Sequence, residues 1–168
     1  MCKEESAPVS TPEKKDEHKI KLKFPGDSDY IPAVRKFIAE MLQSCNFSPK
    51  FAYRSEIIVD EVCNNAVMYG CKSSESTIEL HFNIFSNRTE FIIKDPGGEH
   101  DDIERLRKVV EKRGEETALK QQSKKDKLGL EIVRMLSEEV DFQIDENNLT
   151  TVRVVRKKDD VEAAPQTG

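Results

Sequence analysis

The chain has 168 residues, 36% hydrophobic and 35% charged, which supplies one core and argues against two domains. Lys and Arg total 27 against 32 Asp and Glu, a formal charge of −5, so binding nucleic acid through its phosphates is not expected. No stretch approaches the roughly 20 apolar residues of a membrane span, so no membrane contact is expected either.

The opening Met1-Cys2-Lys3-Glu4-Glu5 has no apolar run and does not read as a secretory signal. Cys2, Cys45, Cys63 and Cys71 form no C-x-x-C pair and read as free thiols, which points to a cytoplasmic location. Residues 1–17 are Pro, Ser, Lys and Glu with little to bury, and are expected to be disordered. The tail 158–168 reads the same way, leaving one domain over 18–157.

Ile20, Leu22 and Phe24 alternate with lysines as a half-buried strand that Pro25-Gly26-Asp27 ends. Asp27 or Ser28 caps a first helix whose apolar side runs from Ile31 to Leu42, with Pro32 tolerated in its first turn. A second helix has Ser48 as N-cap, Pro49 at its first position and Gly70 just past its end. Thr77–Phe85 and Arg88–Asp95 alternate cleanly on either side of Ser86-Asn87 and form a hairpin. Some thirty charged residues follow Pro96-Gly97-Gly98, a lid-like connection expected over about 97–128. Leu128–Ser137 reads as a helix, and strands around Val140–Ile144 and Thr150–Val154 close the chain. The order predicts a two-layer α/β sandwich: a mixed, mostly antiparallel sheet with helices on one face.

Several polar residues interrupt this pattern. Glu61 and Asn65 lie one turn apart on the margin of the second helix's apolar sector, where a carboxylate and an amide need partners. Asp95 shares parity with Phe91 and Ile93, so it points toward the helices, and two glycines follow it. Lys127-Leu128-Gly129-Leu130 opens the third helix, where free N–H groups can receive phosphates. Thr150 shares the inward parity of Val152 and Val154. Taken singly, these fit a solvated helix edge, a common turn, a helix start and a packed threonine.

Together, in this order, they resemble the ATPase fold shared by gyrase, the Hsp90 chaperone, histidine kinases and MutL. They are most like the small bacterial anti-sigma-factor serine/threonine kinases. The likeness rests on Val34-Arg35, Asp60-Glu61-Val62-Cys63-Asn64-Asn65-Ala66-Val67, the D-P-G-G run at Asp95, Leu128–Leu136 and Glu139-Val140. The resemblance implies ATP and Mg²⁺ as cofactors, with Asn65 a magnesium ligand and Glu61 the catalytic base. It implies that Asp95 accepts the adenine amine with support from Thr150, while Gly97 lets the base lie against the backbone. Gly98 begins the segment that closes over the phosphates, and Lys127, Leu128, Gly129 and Leu130 meet them. The implied partners are a sigma factor, held from RNA polymerase, and its antagonist, phosphorylated on serine or threonine; a homodimer is also implied. Two departures stand out: Glu99 and Lys127 occupy positions where the family has glycine. They keep open a second reading, a weak or inactive regulatory binding module of the same fold.

Overall fold

The structure is a computed structural model that describes residues 17–98, Glu104 and 124–158, the last segment with side chains from 129 onward. The expected disordered ends (apart from residues 17 and 158), Glu99 and most of the expected lid lie outside the described residues. Strand β1 (His18–Pro25) leads into a 3₁₀ turn at Ser28–Tyr30, where Asp27 Oδ1 accepts the Asp29 N–H at 3.0 Å. Helix α1 (Ile31–Ser44) follows with Pro32 in its first turn. Helix α2 (Pro49–Asn65) begins as expected: Ser48 Oγ accepts the Phe51 N–H at 3.1 Å and Pro49 takes the position that needs no donor.

The end of α2 differs from expectation. The helix continues as a π-turn over Ala66–Gly70, and among the described residues Gly97 is the one glycine with positive φ. Gly70 is therefore not the left-handed stop that its place in the sequence suggests. Strands β2 (Thr77–Ile84) and β3 (Arg88–Asp95) form the hairpin. Helix α3 (Lys124–Met135) is already helical four residues before the expected start, and β4 (Glu139–Ile144) and β5 (Thr150–Lys157) complete the chain.

Among the described residues the sheet has five strands in the order β1-β2-β3-β5-β4, and every neighbouring pair is antiparallel rather than mixed. Register aligns one inward row as Ile20, Phe82, Phe91, Val154 and Val140, and the next as Leu22, Leu80, Ile93, Val152 and Phe142. Phe82 and Phe91 stack with centroids 5.0 Å apart. These rows pack against Ile58, Val59 and Val62 of α2 and Ile38 and Leu42 of α1 to make the core. One step beyond the second row, Asp95 pairs with Thr150, and both are buried. The apolar pattern thus ends in two polar side chains on the helix side of the sheet. The opposite face carries charge ladders, Lys21–Glu79 and Glu90–Arg153–Glu139 among them.

Arg156 continues the inward parity of β5 and is 4% exposed. Its guanidinium donates to the Leu136 carbonyl at 2.9 Å and to the Phe51 carbonyl and Ser55 Oγ at 2.7 Å, and lies over the Phe51 ring. It ties β5 to the start of α2 and the end of α3. Arg156→Ala is expected to cost roughly 3 kcal/mol, because buried acceptors lose their donor and the ring loses its cover. Urea unfolding measures this.

Candidate functional site

The polar residues singled out in the sequence converge at one end of the α2–sheet interface. Asn65 is 7% exposed, and its Nδ2 has no hydrogen-bond partner. A buried amide left unpaired costs on the order of 1–3 kcal/mol, which a ligand at this position would recover. Glu61 stands one turn earlier on α2 and is half-buried. The π-turn starts directly after Asn65, a distortion that often accompanies function.

Asp95 is 5% exposed; its Oδ1 accepts the Gly97 N–H at 2.8 Å, and the Thr150 hydroxyl donates to the carboxylate. Burial pushes this carboxyl from 3.8 up to about 6, against the pull of those two hydrogen bonds. The unfolded chain loses this proton near pH 3.8, while the folded chain keeps it to about pH 6. Rising pH through that window therefore favours unfolding, and by pH 7 Asp95 removes on the order of 3 kcal/mol of stability. Glu79 and Glu90 move the other way. The His81 contact lowers Glu79; at Glu90, burial raises the carboxyl but hydrogen bonds from Asn83 and Arg153 outweigh it. Denaturant unfolding from pH 4 to 7 isolates Asp95 by comparison with Asp95→Asn, whose stability should fall less, or rise more, across this range.

Asn65, Asp95 and Leu130 line one cavity with Val133 and Phe142, and its volume is about 20 Å³. That holds a single water, not a purine. Leu130 and Val133 of α3 are themselves buried, so α3 forms the wall that must withdraw for a larger ligand.

Glycines set how closely the surrounding elements approach. A Cβ at Gly129 would lie 2.1 Å from Glu61 Oε2, so α3 rests its backbone on that carboxylate. Gly129 sits inside α3, not at its opening turn, and only the backbone of Lys127 and Leu128 is described. Gly97 has φ +80 and turns its Cα toward the Asn148 carbonyl, while Gly98 turns toward that of Tyr69. Both faces meet the protein's own chain. The residue that the sequence reading missed as part of the site is Gly70: a Cβ there would lie 2.0 Å from Asp95 Oδ1.

The histidine kinase-like ATPase domain family matches residues 24–156. The chain belongs to this family. Among curated proteins, this ATPase-family chain is 27% identical over 128 residues to the serine-protein kinase RsbW of Bacillus licheniformis, covering 75% of this chain and 78% of the relative. It is 28% identical to RsbW of Bacillus thuringiensis over 91 residues, 54% of this chain and 57% of the relative. The histidine kinase-like ATPase assignment agrees with a sheet that carries its helices on one face. No described helix is long and apolar enough to cross a membrane.

Proposed function

We propose that the chain is an ATP-dependent serine/threonine protein kinase that sequesters a sigma factor and phosphorylates the antagonist of that sequestration. The observation that carries the nucleotide reading is the convergence of two buried polar side chains, Asn65 and Asp95, on one cavity, with Glu61 one helical turn before Asn65. The serine-kinase part is supported by likeness to proteins named serine-protein kinase. The sigma factor, the antagonist, a homodimeric state and action in the cytoplasm rest on the family resemblance.

The donor set suits Mg²⁺ and ATP. The unpaired Asn65 amide can turn its oxygen to a hard cation, since the two ends of an amide are interchangeable in shape. Asp95 offers a carboxylate acceptor to an exocyclic amine. Mg²⁺ supplies charge neutralisation at the phosphates when bound. Glu61 orients the partner's hydroxyl and takes its proton as the oxygen attacks the γ-phosphorus. The bond from that phosphorus to the β–γ bridging oxygen breaks, and ADP leaves with the electron pair. Gly129 and the α3 backbone beside it, Lys127 and Leu128 included, meet the phosphates once α3 withdraws.

Incubation with radiolabelled ATP and candidate antagonist proteins of the source organism tests the reading. Label on a serine or threonine of the antagonist is the expected result. A second reading, a regulatory module without turnover, is favoured by one observation: α3 lies on Glu61 and leaves room for one water at Asp95. Sigma-factor binding with no labelled antagonist and no thermal shift at millimolar Mg-ATP would establish it instead.

A further inference from the structure

Glycine at position 70 has no conformational explanation. Its φ is not in the left-handed region, and it closes a π-turn whose backbone any L residue can adopt. What forbids a side chain is Asp95, which lies across from it: a Cβ at Gly70 would stand 2.0 Å from Oδ1, 2.4 Å from Cγ and 3.0 Å from Cβ of that residue. All three lie inside van der Waals contact, so a side chain at 70 can be admitted only if Asp95 leaves the contacts that hold it. Its Oδ1 is held by the Gly97 N–H at 2.8 Å, and Thr150 pairs with it across the sheet. Cys71, directly after the π-turn, is raised to about 11, mainly by burial and secondarily by the Asp95 charge. Gly70, closing the π-turn, and Gly97, in the loop after β3, thus bracket one carboxylate.

We propose that Gly70 is the positioning residue that sets nucleobase selectivity, by leaving the space in which the Asp95 carboxylate stands aligned toward a purine amine. This rests on the reading of Asp95 as the amine acceptor. A methyl group at 70 rotates or pushes the carboxylate off that line, and the base is then held by stacking and phosphate contacts alone. Affinity for every nucleotide falls somewhat; discrimination falls most.

The test compares ATP with inosine triphosphate, which carries an oxygen in place of the amine, by calorimetry on the full chain and on Gly70→Ala. The wild type is expected to prefer ATP by about 100-fold, the range of a charged hydrogen bond lost together with an acceptor left facing an oxygen. Gly70→Ala should prefer it by less than about 5-fold. A mere loss of stability would weaken both nucleotides and leave the ratio intact. Retention of the full preference in Gly70→Ala would overturn the proposal while leaving Asp95 as the acceptor. A wild type that does not discriminate would overturn the reading of Asp95 itself, and the proposal with it. If Gly70→Ala does not fold, the Asp95→Gly background decides, because glycine removes all three atoms that the methyl group would meet. Equal melting of Asp95→Gly with and without Gly70→Ala supports the proposal. A loss as large as in the native background shows that the turn alone needs glycine, and overturns it.

Discussion

Glu61→Ala should reduce phosphoryl transfer by roughly 10²–10⁴-fold, the range for loss of a positioned general base, while Mg-ATP affinity changes by less than about 3-fold. The separation follows from where Glu61 stands. It lies one helical turn from Asn65 on α2 and stands against α3 at Gly129. In the proposed function it acts on the incoming hydroxyl and not on the base. Single-turnover transfer to the antagonist and calorimetry with Mg-ATP measure the two quantities separately. Transfer at the wild-type rate would remove Glu61 from the chemistry. Equal loss of binding and transfer would make it a nucleotide ligand.

Asp95→Asn should move two measurements in opposite directions. Apo stability at pH 7 should rise, because a buried carboxyl whose titration is pushed up to about 6 is replaced by a neutral amide of the same shape. ATP affinity should fall by about 30-fold or more. The carboxylate accepts from the Gly97 N–H and from Thr150 and still has lone pairs for a ligand amine. An asparagine must set its own NH₂ against one of these donors, and that conflict is settled at the ligand's expense. Thermal melts with and without Mg-ATP show both effects on one sample: a higher apo midpoint with a smaller nucleotide-induced shift. An unchanged nucleotide shift would remove Asp95 from the binding site.

Strand parity carried the most information in the sequence. Alternation through Phe91 and Ile93 placed Asp95 inward, and alternation back from Val154 placed Thr150 inward; register then set the two side by side. The Ser48-Pro49 start of α2 was equally legible, because capping depends on neighbours along the chain. Gly70 was legible only as a stop. A glycine after a helix fits the local grammar of C-caps, whereas its actual constraint comes from a residue on another strand. The Gly129–Glu61 contact was hidden for the same reason, and Gly129 read as a helix opening because charged residues before it leave only a thin apolar stripe. Arg156 lay on the inward parity of β5 as well, but a basic residue near a strand end resembles a solvated one until acceptors such as Leu136, Phe51 and Ser55 are in place.

The most direct measurement is a crystal structure of the chain with Mg²⁺ and a non-hydrolysable ATP analogue. The account predicts the adenine amine within about 3 Å of the Asp95 carboxylate, the metal at the Asn65 side-chain oxygen, and Leu130 and Val133 drawn back from the base. Nucleotide bound elsewhere, with those two side chains still closing the space at Asp95, would contradict it.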